Sequence, residues 1–294
     1  MTQLLTPSRR VVAVRATAIA AVSIALAALV YYVAVQTSFG QLVDQKLFDL
    51  SRRAPVIDVM PAALNVEMVS NPALWILGGL VVIVAAQIRV GSASRSSAGR
   101  IVPTLALLAF PPVVILIAQF LRDHVLLRPS FHDWIAETVN SAPSGHAAAV
   151  TAFAVVLVRA VPPQVRPLVI AATGAWAAVI EFGVLAVGWH RLSDVVISTL
   201  LVGGLGALLP DPHRGSGRAL PILTALGFLG VVVGAPLAVA MYYPAPEPVA
   251  VAAVIAFVVA TMLVVGAPRT QRVMTAPAVN DYYDVPTNPV PSYR

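Results

Sequence analysis

The sequence predicts an all-α, polytopic membrane helix bundle of about eight transmembrane helices, and three observations predict it. Apolar residues make up 59% of the 294-residue chain and charged residues 11%, with a mean hydropathy of +0.85. A soluble domain carries roughly 25% charged residues, so this little charge cannot cover a water-facing surface of such a size. The apolar residues also fall in runs close to the length of about 20 residues that a bilayer-spanning helix needs. Finally, the basic residues cluster between those runs, which is a signature of topology rather than of a nucleic-acid surface; no nucleic-acid partner is expected.

Eight runs are candidates, at roughly 16–36, 73–90, 101–121, 145–162, 167–188, 194–209, 219–242 and 249–267. The first follows Ser8-Arg9-Arg10, a faint likeness to a twin-arginine signal. It is too long for a typical signal h-region and lacks a clear small-residue cleavage site, so it reads as a span. The third carries Pro103, Pro111 and Pro112, where kinks are expected. The sixth is short unless it begins in a protein-lined cavity, and its Gly203, Gly204 and Gly206 are expected to permit close helix packing. Of the connecting segments, 37–72 and 122–144 are long, and Phe48 to Arg53 reads as a short interfacial helix. From 268 to 294 there is no apolar period, and a disordered cytoplasmic tail is expected. The domain reading is a six-helix membrane core over 1–210, an added two-helix hairpin over 211–267, and that tail. No internal repeat is visible, which argues against an inverted-repeat transporter.

Orientation follows from counting cations. With the N-terminus inside, thirteen arginines lie in inner segments; Lys46, Arg52, Arg53, Arg122, Arg128 and Arg191 are the six outer cations. Both termini are therefore expected in the cytoplasm. Tyr31, Tyr32, Trp75, Trp189, Tyr242 and Tyr243 then fall at outer span ends, where amphipathic rings anchor at the interface. Arginine-rich, lysine-poor usage suggests a GC-rich genome, hence a bacterial plasma membrane. The absence of cysteine excludes disulfides, thiolate nucleophiles, iron–sulfur clusters and cysteine-based zinc sites.

Three outer patches carry the concentrated chemistry: Arg122 to Pro129, Ser141 to His146, and Gly188 to Asp194. In the second, a helix begins at Pro143-Ser144. Ser141 or Ser144 is the candidate cap, the free amides form a natural anion site, Gly145 allows close approach to the backbone, and His146 projects beside the anion. In the third, His190 and Asp194 are four residues apart and would share a face on a helix. Asp194 would hold one imidazole nitrogen and leave the other as a nucleophile. In the first, Arg128 offers a planar guanidinium suited to phosphate. His124 and His132 read as solvated loop residues. Arg191 is either a headgroup anchor or a phosphate ligand. Glu181, inside the fifth span, is a functional candidate by its position; the alternatives are a protonated packing residue or one paired with an arginine.

These residues resemble the type 2 phosphatidic acid phosphatase (PAP2) superfamily, whose motifs are Lys-x6-Arg-Pro, Pro-Ser-Gly-His and Ser-Arg-x5-His-x3-Asp. Pro143-Ser144-Gly145-His146 and His190-x3-Asp194 match fully, and Arg128-Pro129 matches the end of the first motif. The first-motif lysine position is Leu121, with Arg122 adjacent, and the third-motif Ser-Arg position is Gly183-Val184. The resemblance implies a PAP2-like core in the first six spans. It also implies that His190 attacks phosphorus to form a phosphohistidine, Asp194 orients it and His146 protonates the leaving oxygen. Arg128, Ser144 and Gly145 would hold phosphate, with Arg122 and Arg191 as further candidates. No metal or cofactor enters this scheme.

The expected function is thus a membrane lipid-phosphate or polyprenyl (pyro)phosphate phosphatase acting at the outer face. The alternative is a catalytically degenerate relative serving as a partner, scaffold or lipid-binding subunit. A transporter is the weakest reading, since only Glu181 is ionisable within a span. Membrane lipids are expected neighbours, and the last two helices, which carry no catalytic pattern, are a candidate surface for a membrane-protein partner.

Overall fold

A computed structural model describes residues 9–52, 61, 64–88, 96, 98–135, 139–213, 220–243 and 245–268. Residues 269–294 of the tail expected to be disordered, and Arg53, lie outside these residues. Every described regular element is helical. In chain order the α-helices are α1 (Arg9–Val30), α2 (Ser38–Arg52), α3 (Pro72–Gln87), α4 (Ala98–Phe120), α5 (Gly145–Ala160), α6 (Arg166–Ala186), α7 (Leu192–Gly206), α8 (Pro221–Tyr242) and α9 (Pro246–Gly266). A single π-helical turn extends α1 over Tyr31–Val35 and another extends α4 over Leu121–Val125, while a 3-10 turn at Val66–Ser70 precedes α3. All eight expected spans are helices. The ninth, α2, begins ten residues before the short interfacial helix expected at Phe48.

Among the described residues, five helices, counting the π extensions, are long and apolar enough to cross a membrane: Arg10–Val35, Ala98–Val125, α6, α8 and α9. The helices α3, α5 and α7 are apolar but shorter. At 1.5 Å per residue, the 16 residues of α5 span about 24 Å, less than a bilayer core of about 30 Å. Such shortness is tolerated because α5 is enclosed by protein: thirteen of its residues are buried, six of them alanines that let neighbours approach closely. Likewise α7 starts inside the bundle, with Ser193 and Asp194 already buried in its first turn. Lipid-facing apolar rows lie instead on the outer helices, as with Ile222, Leu229, Val233, Leu237 and Met241 of α8.

The close packing expected of the α7 glycines is realised against three different neighbours. A Cβ on Gly203 would lie 2.6 Å from Met262 of α9, one on Gly204 2.6 Å from Ser23 of α1, and one on Gly206 2.7 Å from Val155 of α5. One apolar core runs through α3 to α9 and includes Val231, Ala235, Ile255, Ala256 and Leu263. The last two helices therefore share their packing with the others: α8 lies along α6, and α9 along α5, α6 and α7.

Alternate helices run in opposite directions, so α3, α5, α7 and α9 begin at the end of the bundle where α1, α4, α6 and α8 finish. That end gathers all three chemical patches.

Candidate functional site

The site is built on two helix starts and one loop. Ser144 is the N-cap of α5: its hydroxyl accepts the Ala147 amide at 3.2 Å, and it is fully buried. Of the two candidate caps, Ser144 is the one used. Ser141 instead donates to Asp194 Oδ2 at 2.6 Å, tying the mouth of α5 to α7. Two further bonds fix the same joint: the Ser144 amide donates to Asp194 O at 3.2 Å, and the Ser198 hydroxyl lies 2.9 Å from both Ser144 O and Asp194 O. The Ser144 hydroxyl and amide are thus both engaged within the protein. Gly145 differs, since a Cβ there would meet nothing within 4 Å. Open space lies against Gly145 in the first turn of α5.

His190 reaches Asp194 by a different route from the one expected. It is not on a helix face, because α7 begins at Leu192 and His190 lies in the preceding turn. That turn exists because α6 ends in a Schellman motif: the Trp189 amide donates to Val184 O at 3.1 Å and the Gly188 amide to Leu185 O at 2.9 Å. Gly188 has φ +81°, a conformation that favours glycine, and the Arg52 side chain packs against it. The chain then reverses and delivers His190 Nδ1 to 3.5 Å from Asp194 Oδ2. This is longer than a hydrogen bond, and Oδ2 already accepts from Ser141 and, at 2.9 Å, from the Arg191 amide. Catalytic hydrogen bonds are often long until substrate binds.

The two imidazoles meet. The His146 and His190 rings lie 6.3 Å apart, centroid to centroid, at 61° to each other. Trp189 packs against His146 at 5.1 Å and walls that side.

Two of the three cations at this end meet residues far away in sequence. The Arg128 side chain is 2% exposed and lies 3.9 Å from Asp44 Oδ2. Arg191 is the N-cap of α7, is buried, donates to Gln45 Oε1 at 3.1 Å and lies over the Phe48 ring at 5.5 Å. Arg122 is 29% exposed and pairs with its neighbour Asp123 at 2.8 Å. The loop that carries Arg128 is pinned by Tyr31, whose hydroxyl donates to Leu127 O at 2.6 Å and accepts the Leu127 amide at 2.8 Å. Asn140 adds bonds to Arg122 O and Leu126 O. His132 is anchored as well, its Nε2 lying 2.9 Å from Ser38 O.

Asp44 is the residue that sequence reasoning missed. Its carboxylate accepts the Ser193 amide at 3.0 Å and the Ser193 hydroxyl at 2.6 Å. Burial, followed by the nearby Asp194 charge, pushes its pKa up to about 6. A signal was present: Gln41, Asp44, Gln45, Phe48 and Ser51 recur at helical spacing, but a polar stripe reads naturally as a water-facing one. Glu181 is bonded within the bundle. It is fully buried, and Thr151 of α5 and Thr199 of α7 lie 2.7 and 3.1 Å from its two oxygens. The arginine pairing considered for it is not what the structure records.

Among the described residues, no group of three His, Cys, Asp or Glu is placed to hold a metal ion.

A polytopic helical bundle that gathers two facing histidines, a buried aspartate and buried arginines at one end defines a class of membrane protein with a histidine-centred polar site. Residues 73–211, which comprise α3 to α7, match the family model described as the PAP2 superfamily. That match supports membership of the superfamily. No curated protein and no solved structure matches it. The matched segment contains both histidines, Asp194 and the three arginines; Asp44 and Gln45 lie outside it.

Proposed function

We propose that the chain is a membrane lipid-phosphate or polyprenyl (pyro)phosphate phosphatase that works through a histidine nucleophile at the outer face of a plasma membrane. The observation that carries this reading is the meeting of His146 and His190 across 6.3 Å, with Asp194 behind His190. Asp194 favours a proton on His190 Nδ1, which leaves a lone pair on Nε2. That nitrogen attacks phosphorus, the P–O bond to the lipid breaks, and His146 gives its proton to the departing oxygen. Water then attacks the phosphohistidine, passes a proton to His146, and phosphate leaves. Arg128 and the open first turn of α5 beside Gly145 carry the phosphoryl charge, with Arg122 and Arg191 behind them.

Two features favour a lipid. Phe153 lies seven residues beyond His146 on the same face of α5, and there it lines an apolar cavity of about 390 Å³ between α3, α4 and α5. Pro112, which is exposed, stands at its lateral edge. The excess of basic residues in the segments at the opposite end favours an outward-facing site.

A second reading, a non-catalytic relative acting as partner, scaffold or lipid-binding subunit, is favoured by one observation. The family's Ser-Arg position is Gly183-Val184, and both residues are buried in α6, so no guanidinium enters the site from that helix. Phosphate release from polyprenyl pyrophosphate and phosphatidate by the purified protein separates the two readings. The enzyme reading expects release that His190→Ala abolishes. A folded protein that releases phosphate from none of these lipids belongs to the second reading.

A further inference from the structure

The helix α2 buries several polar side chains, while its exposed face mixes apolar Phe39 and Val43 with Ser38, Lys46, Asp49 and Arg52. Gln41, Asp44, Gln45, Phe48 and Ser51 are buried. Burying polar groups is costly unless each is bonded, and here the bonds run to the site. Gln41 donates to Pro129 O at 2.6 Å, Gln45 accepts from Arg191 at 3.1 Å, and Asp44 takes the Ser193 amide and hydroxyl while facing Arg128 at 3.9 Å.

Asp44 is therefore placed where two anion-attracting features converge. Ser193 is the second residue of α7, and its amide belongs to the electropositive start of that helix. Arg128 is the guanidinium of the first motif. A phosphate oxygen seeking these features meets a resident carboxylate. Arg128 faces Asp44, Arg122 pairs with Asp123, and Arg191 donates to the neutral Gln45.

Resting on the phosphate placement proposed above, we propose that Asp44 is a specificity-determining residue of this site, its carboxylate limiting how much negative charge a bound phosphate can carry beside Arg128. A doubly charged phosphoryl group is disfavoured while Asp44 is ionised, and a singly charged one is tolerated. Protonation of Asp44, which its buried setting brings to about pH 6, lifts the restriction. The charges acting on Asp44 are Asp194 from α7 and Arg128 from the loop; Arg191 is held next to it by Gln45. On its own helix Lys46 is exposed and Asp49 is bonded by Gln45. Of the other helices packed on α2, α6 carries Glu181, bonded to its two threonines, and α9 carries Glu247, which is exposed.

The test uses the full chain in detergent or nanodiscs and radiolabelled sulfate, a dianion at every pH from 5 to 8. Asp44→Asn keeps the shape and the bonds to Ser193 while removing the charge. Its sulfate affinity should equal that of the wild type at pH 5 and exceed it about tenfold at pH 8, as expected for one charge removed at this range. Any slope contributed by the imidazoles is common to both proteins and cancels in the ratio. Asp44→Ser, smaller and equally uncharged, should give the same ratio, so the result does not hang on one variant's folding. Dimethyl phosphate, a monoanion throughout, should show a smaller ratio. A ratio for sulfate that stays near one at pH 8, or sulfate binding by neither protein at any pH, overturns the inference. Because binding is read without turnover, the predicted ratio in a protein that hydrolyses no lipid would keep the inference and remove the phosphatase reading. Lipid hydrolysis with a flat ratio would do the reverse.

Discussion

The two ends of the bundle use the same residue type for opposite purposes. At the end away from the histidines, α3, α5, α7 and α9 finish, and their last carbonyls are met by cations or N–H donors. Arg159 donates to Ala207 O and Gly266 O at 2.9 Å each and to Leu209 O at 2.5 Å. Arg15 donates to Val265 O, Arg100 to Ile88 O, and His213 Nε2 lies within 3.0 Å of both Ala85 O and Ala160 O. Arg166 completes the set with Asp211 at 2.7 Å and Pro268 O at 3.2 Å. These cations close the negative ends of helix dipoles. At the histidine end the same helices begin, so their amides need acceptors, and Asn71, Ser144, Asp194 and Asp44 supply them. There Arg122 pairs with Asp123, Arg128 faces Asp44 and Arg191 donates to Gln45. The contrast teaches that a guanidinium fixed on main-chain carbonyls holds the fold together, whereas one balanced against a side chain can be shared with a ligand.

The comparison breaks if exchanging one arginine from each end has the same consequence. Arg128→Gln should lower phosphate release by roughly 10²–10³ while costing only about 1 kcal/mol of stability. Arg159→Met should leave three carbonyls without their donor and cost about 3 kcal/mol or more. Its turnover per folded molecule should change little. Thermal unfolding in detergent and activity normalised to folded protein would read both; a stability loss at Arg128 as large as that at Arg159 contradicts the distinction. A smaller effect sharpens it. Ser141→Ala removes the shortest bond to Asp194 from a side chain that is half-buried. We expect about a tenfold fall in kcat, with KM and the unfolding temperature nearly unchanged.

Much of the scaffold was legible because a bilayer imposes a length and a composition on whatever crosses it. The eight apolar runs became helices, and the short α7 was excused by the condition set for it, a start inside protein. The residues of the two intact motifs were legible as types, but their geometry was not. His190 reaches Asp194 through a glycine-dependent reversal rather than along a helix face, and spacing alone does not separate those cases. Between Ser141 and Ser144 the choice of cap depended on where α7 lay. Asp44 and Gln45 escaped notice for a deeper reason. Their partners Ser193 and Arg191 are almost 150 residues further along the chain, and α2 carries polar residues on both faces, so its pattern does not say which face meets the site.

The account stands on His190 carrying phosphorus. Rapid acid-free quenching of the protein with phosphorus-labelled phosphatidate or polyprenyl pyrophosphate, followed by peptide mapping, tests this most directly. The account predicts an acid-labile, base-stable label on the peptide containing His190, absent from His190→Ala and accumulating in His146→Ala supplied with a substrate whose leaving group needs no proton. Phosphate release without any labelled histidine, or with the label on His146 instead, would contradict it.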